Sequence, residues 1–248
     1  MKAVAIKTER VSTGSISLTE LLDKYLTEFK EGNVLAITSK IVAICEGSVV
    51  AKNTIVDKQA FVAEHADFTQ LEAHSKYGIN FTIKNNTLIP NAGIDESNAG
   101  GFYILWPKDS QRTAAEVRAY IKHRFGIKYC GVVITDSTCR TMRRGVSGIA
   151  LGFSGFNPLH NYVGTPDLFG RDFKVSQADI VGGLAGIGVF VMGEGSESTP
   201  LAVISELDNV EFADREPTDE ELKNIAIPLE EDLFEPFLSR VKWLRKPD

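Results

Sequence analysis

The chain has 248 residues, 43% of them hydrophobic and 24% charged, with a formal net charge of -6 at pH 7. That composition belongs to an ordinary globular protein with apolar material for one sizeable core or two smaller ones, and it excludes disorder of the whole chain. The negative balance disfavours nonspecific binding to nucleic acid or to an anionic membrane, and leaves room for a local basic pocket.

No run of eighteen apolar residues occurs, and "MKAVAIKTERV" has too short an apolar core for a signal peptide, so a cytoplasmic protein is expected. "SLTELLDKYLTEFKEG" places Ser17 three residues before Glu20, a capping box. Leu18, Leu21, Leu22, Tyr25 and Phe29 then form one helical stripe that Gly32 stops. "VLAIT" (34–38) is a buried-strand candidate, and "SKIVAICEG" reads as a short helical turn ended by Gly47. His65 and His74 sit in polar surroundings and read as surface residues. "INFTIKNNTLI" predicts two strands about an Asn85-Asn86 hairpin, because asparagine tolerates positive φ. The loop "NAGIDESNAG" (91–100) groups Asp95, Glu96, Ser97 and Asn98 between glycines.

A second helix is predicted over 113–125, with Thr113 and Glu116 as capping box, Val117, Tyr120, Ile121 and Phe125 as buried stripe, and Gly126 as stop. "YCGVVIT" (129–135) is a buried strand ending on Asp136. The glycine and proline density of 145–175 argues for short strands and loops. A helix can start at Ser176, but Gly182, Gly183, Gly186 and Gly188 each cost about 1 kcal/mol against alanine in a helix interior, which suggests close backbone packing. "PLAVIS" (200–205) is a last strand, followed by an acidic stretch and an amphipathic closing segment, "DLFEPFLSRVKWLRK". Cys45, Cys130 and Cys139 have no C-x-x-C spacing and read as free thiols.

Three segments share one character, an apolar run followed at once by carboxylates and small residues: Asp95 with Glu96, Asp136, and Glu194 with Glu197. Converging carboxylates repel without a cation, and an oxygen-only set with Ser137 and Thr138 nearby suits magnesium or manganese rather than zinc. Arg140, Arg143 and Arg144 follow within eight residues of Asp136, and arginine forks pair with phosphate or carboxylate oxygens. Acids for a metal and arginines for anions describe a phosphoryl-transfer site. The blander alternatives are solvated turn acids and an exposed basic turn. "MGEGSES" offers flexible N–H groups to phosphates, whereas P-loop, Rossmann and G-x-S-x-G patterns are missing.

In order along residues 30 to 205, "NAGIDESN", "VVITDSTCRTMRRGVSGIALGFSG", "YVGTPDLFGRDFKV" and "VMGEG" resemble the motifs of the coenzyme F420-0:L-glutamate ligases and the related folate-associated γ-glutamate ligases. The resemblance implies an α/β, mixed α+β fold with mixed sheets, flanking helices and two interlocked subdomains. A catalytic domain is expected over 1–205, with an acidic C-terminal extension, 206–248, packed on it. It implies an enzyme that uses GTP or ATP and two Mg2+ or Mn2+ ions to join L-glutamate to a small carboxylate acceptor, and a homodimer. Asp95 and Asp136 match the ligands of one metal, Ser137 and Glu194 those of the other. Ser39, Lys40, Asn98 and the turn Met192, Gly193, Gly195, Ser196, Glu197, Ser198, Thr199 match nucleotide contacts. The arginines, Arg140, Arg143 and Arg144, are expected to grip the acceptor or glutamate carboxylates. Relatives carry lysine where this chain has Ile44 and glycine where it has Cys139. "LWPKDSQ", with Trp106 and Lys108, looks nearer the folate-associated branch. A nucleotide-binding module without ligase activity and a metal-dependent phosphohydrolase are the competing readings.

Overall fold

The structure, a computed structural model, describes residues 1–70 and 75–246; His74 lies outside them. The chain begins with β1 (Lys2–Ile6), α1 (Leu18–Tyr25), β2 (Val34–Thr38), α2 (Ser39–Glu46) and β3 (Val49–Ala51). It continues through α3 (Lys58–His65), β4 (Phe68–Thr69), β5 (Phe81–Lys84), β6 (Thr87–Pro90), β7 (Phe102–Ile104) and α4 (Ser110–Phe125). The next group is β8 (Gly131–Cys139), β9 (Val146–Ser154), β10 (Leu159–Asn161), β11 (Gln177–Asp179) and α5 (Ile180–Met192). It closes with β12 (Leu201–Ser205), α6 (Asp219–Ile225), α7 (Glu235–Leu238) and β13 (Leu244–Arg245). The fold is mixed α+β, as expected.

The central sheet has the order β1-β12-β2-β8-β9, with β2 and β8 parallel and the other neighbours antiparallel. Both parallel strands are apolar along their shared length up to the terminal Thr38–Thr135 pair, because both faces are covered. Leu35 and Ile37 of β2 and Val132 and Ile134 of β8 pack with α1 and α4 on one side. Val34 and Ala36 of β2 and Val133 of β8 meet α5 on the other. A smaller lobe holds the sheet β13-β4-β5-β6 and the ribbon β3-β7, around Phe61, Val62, Ala92, Ile94 and Tyr103. The Asn85-Asn86 hairpin is present, with φ of 50° and 54°.

The acidic C-terminal stretch touches both parts. Leu207, Val210, Phe212, Leu222 and Ile225 pack on the α5 side of the core, buried Arg118 holds Asp214 at 3.0 Å, and β13 pairs with β4.

Several elements depart from their sequence reading. Helix α1 keeps its Ser17–Glu20 capping box but stops at Tyr25; Leu26 leaves helical geometry, and Phe29 reaches the core from an irregular segment. Helix α4 begins a turn early: Asp109 accepts from the N–H of Arg112 at 2.9 Å, and Glu116 pairs with Arg112 instead of capping. Strand β8 runs through Asp136 to Cys139. Its partner β9 is nine residues long where only short strands were expected. The glycines of β9 are the reason. A Cβ at Gly148 would sit 2.3 Å from the Ala185 carbonyl oxygen of α5, and one at Gly152 would sit 2.4 Å from that of Ser110. They admit helix backbones to the strand instead of breaking it. Helix α5 starts at Ile180, capped by Asp179, and not at Ser176; close packing holds at Gly188, whose Cβ would lie 2.5 Å from Ala36. The closing segment forms only α7 and β13, and exposes Leu233, Phe234 and Phe237 instead of docking one amphipathic face.

Candidate active site

A cleft of about 510 Å³ opens where the C-terminal ends of β2 and the middle of β8 meet three loops: 8–11, 95–100 and 192–200. It gathers Ser39, Lys40, Asp95, Asn98, Asp136, Ser137, Met192, Gly193, Glu194, Gly195, Ser196, Glu197, Ser198 and Thr199. The three acidic segments therefore converge.

Each wall has a local cause. Thr38 ends β2 and caps α2, its hydroxyl accepting from the N–H of Ile41 at 3.2 Å, so Ser39 and Lys40 occupy the first helical turn beside the cleft. Asp95 is pinned by a two-way backbone bridge with Ile104, both bonds 2.9 Å. Just upstream of Asp136 the β8–β9 register shifts between Ile134 and Thr135. Such an irregularity re-aims the side chains that follow it. The glycine turn after α5 is braced internally: Glu197 accepts from the N–H of Gly195 at 2.8 Å, and the Thr199 hydroxyl donates to the Met192 carbonyl at 2.5 Å. Asn98, in the left-handed region at φ 53°, donates its amide to the Gly195 carbonyl at 2.8 Å and so ties the acidic loop to that turn.

Lys40 is the charge partner of the site. Its ammonium lies 2.6 Å from Asp95 Oδ2 and donates to the Ser97 hydroxyl at 2.9 Å. Burial works to raise the Asp95 pKa, but Lys40 and Ser97 together hold it below the ordinary value. Asp136 has no cation in direct contact among the described residues. Its Oδ2 accepts from Trp106 Nε1 at 2.5 Å and its Oδ1 from the N–H of Ser137 at 2.9 Å. Burial pushes its pKa up to about 6, against those two donors, with the Asp95 charge adding to the rise. Glu194 is likewise raised by burial, partly offset by the Ser137 hydroxyl and Lys40. Partly buried, like-charged carboxylates around one ammonium make a site that gains from added cations.

The donor set fits hard divalent metals: three carboxylates and a hydroxyl, all oxygen. No group of three or more His, Cys, Asp or Glu among the described residues is placed to hold a metal ion by itself. Mg2+ is commonly held by one or two carboxylates together with substrate phosphates, so a shared coordination shell is what this geometry supports. Asp95 with Asp136, and Ser137 with Glu194, are the residues that would hold such ions.

Other candidates lie elsewhere. Glu96 turns to Lys52, at 3.0 Å, and Lys58, whose ammonium groups lower its pKa. Arg140, Arg143 and Arg144 sit exposed on the β8–β9 hairpin, outside the cleft. Arg140 donates to the Ser147 hydroxyl at 2.7 Å and lines a second, wider cavity of about 1330 Å³ with Trp106 and Gln111. Ile44 is buried against Ile104 and Val11, so the departure from lysine is filled by apolar contact. The sequence offers no motif that marks the cleft wall at Thr8–Val11, an irregular segment after β1 whose one acid, Glu9, has no glycine-rich turn around it. Trp106 reads from sequence as a branch marker, whereas the indole contacts Asp136.

A family model described as F420-0:Gamma-glutamyl ligase matches residues 5–206. The coenzyme F420:L-glutamate ligase of Methanocaldococcus jannaschii is 32% identical over 88% of this chain and 90% of its own length. Its counterpart in Methanopyrus kandleri is 33% identical over 71% of this chain and 75% of its own. The corresponding Methanococcus maripaludis protein is 34% identical over 76% and 80%.

Proposed function

The chain belongs to the F420-0:γ-glutamyl ligase family, and from that premise we propose that it is an amide-forming ligase that adds L-glutamate to the carboxylate of a small acceptor, driven by GTP or ATP with Mg2+ or Mn2+. The convergence of Asp95, Asp136, Ser137 and Glu194 on the cleft that also contains Lys40 and the 193–199 turn carries this reading.

The chemistry follows from the groups present. An unactivated carboxylate does not accept an amine at neutral pH. Transfer of the γ-phosphoryl group to an acceptor carboxylate oxygen releases the nucleoside diphosphate and leaves an acyl phosphate. The glutamate amine then attacks the acyl carbon, the C–O bond to phosphate breaks as C–N forms, and the amine gives up its proton. Bound divalent ions would neutralise charge on the phosphates. Lys40 adds a point charge, the 193–199 turn lines the cleft where phosphates would sit, and Asn98 fixes that turn. Holding both reactants in one geometry accounts for much of the rate gain. Arg140, Arg143 and Arg144, on the hairpin that prolongs the Asp136 strand, are assigned the carboxylates of glutamate or acceptor.

The relatives' names favour an F420-type acceptor as the first to test, with a folate or pterin acid as comparison. Incubation with each acceptor, glutamate, GTP or ATP and Mg2+ or Mn2+ should yield a product heavier by one glutamyl residue, in step with nucleoside diphosphate. Phosphate release that is indifferent to glutamate would replace ligation by hydrolysis. A homodimer belongs to the same reading, supported by exposed Leu168, Phe169 and Phe190, and is read by light scattering.

A further inference from the structure

The acidic loop and the Asp136 strand are separated by about forty residues, yet a single side chain links them. Trp106 follows β7, two residues past Ile104, the residue that bridges Asp95. Its indole N–H donates to Asp136 Oδ2 at 2.5 Å. Across the Asp95–Ile104 bridge, two residues before Asp95, Gly93 lies against the indole. A Cβ built there would sit 2.1 Å from Trp106 Nε1, and Gly93 has φ +71°. Only a residue without a side chain leaves the indole nitrogen where it is. The ring face is held as well: the Lys84 ammonium lies 5.3 Å from its centroid. The ring is 5% exposed, so its orientation is set by packing.

We propose that Trp106 is a positioning residue for the metal-binding carboxylates: braced by Gly93, it fixes Asp136 relative to the Asp95 turn, so that the two acids meet a divalent cation as a preset pair. The bridge that presents Asp95 then also dictates the direction of Asp136. A carboxylate with one oxygen tied to a rigid donor has fewer orientations to lose when a cation arrives. Partners of this outer kind are worth about 10–100-fold in metal affinity. The inference rests on the reading of Asp136 as a metal ligand.

Trp106→Phe keeps an aromatic ring and removes the donor. Titrating Mn2+ into the nucleotide-free full chain, followed by the electron paramagnetic resonance of free Mn2+, should show affinity about tenfold weaker in the variant. An affinity within about twofold of the unsubstituted chain overturns the proposal, by the same scale. In an Asp136→Asn background, Trp106→Phe should cause no further loss, because its action passes through Asp136; an undiminished further loss would show a general packing effect and overturn it. Asp136→Asn that binds Mn2+ normally would remove the metal reading itself, and this inference with it, whereas a silent Trp106→Phe beside a damaging Asp136→Asn removes only the inference. A measurement on the unsubstituted chain guards against a variant that fails to fold. The chain has two tryptophans, and Trp243 Nε1 donates to the Leu238 carbonyl at 2.9 Å. With signals assigned by Trp243→Phe, Mg2+ should move the Trp106 indole proton resonance and leave that of Trp243 in place. A Trp106 resonance that stays fixed to saturation refutes the coupling.

Discussion

Replacing Asp136 by asparagine separates what the residue does for the fold from what it does for the site. Its pKa is raised to about 6 from the ordinary aspartate value of 3.8, with burial as the first cause. At 1.36 kcal/mol per unit, the ionised group costs the metal-free fold about 3 kcal/mol at neutral pH. The folded-state pKa lies above the unfolded one, so the cost is absent below about pH 3.8 and complete above about pH 6. Asparagine carries no charge, but its single oxygen can accept from only one of the two donors, Trp106 Nε1 and the Ser137 N–H. The lost bond returns about 1 kcal/mol or more. A net gain of about 1–2 kcal/mol remains, or a melting temperature higher by about 2–8 °C for a chain of this size. Thermal unfolding in a chelating buffer at pH 7.5 should show that gain, and at pH 4 it should have vanished. The same variant should lose metal-dependent turnover. Lower stability at pH 7.5, or a difference that does not depend on pH, would refute the electrostatic reasoning; normal turnover would refute the metal assignment.

Lys40→Met leaves Asp95 without its partner at 2.6 Å and removes the cleft's ammonium, so nucleotide affinity measured by calorimetry should fall about tenfold or more. Gly188→Ala should destabilise by about 1–3 kcal/mol in denaturant unfolding, because its Cβ would lie 2.5 Å from that of Ala36. Gly183→Ala, on the same helix with nothing within 4 Å of the added Cβ, should instead stabilise by up to about 1 kcal/mol. Equal effects at the two positions would mean that helix propensity, and not the approach of α5 to β2, sets the cost.

Local signals were sufficient where the physics is local. The Ser17 capping box, the Asn-Asn hairpin, the apolar runs of β2 and β8, and the Gly47 and Gly126 stops follow from short-range sterics and hydrogen bonding, and each is found where the sequence places it. The oxygen-rich turns at Asp95, Asp136 and Glu194 were legible as candidates because residue type and flanking pattern travel together. Their identity as one cleft is a property of the assembled sheet. Glu96, one residue from Asp95, belongs to Lys52 and Lys58 instead, and composition cannot distinguish the two acids. The same limit governed the glycines of β9: their number suggested broken structure, and only the helices pressed against both faces reveal what their missing side chains permit. Trp106 is the clearest case. Its residue type is ordinary core material, and the bridge that sets it against Gly93 aims its N–H at an acid thirty residues away. Sequence by itself determined the strands, helices and turns whose signals are local, and which chemical groups are available. Only the tertiary structure decided which groups share a site, because that depends on contacts between residues far apart in the chain, and no local propensity encodes them.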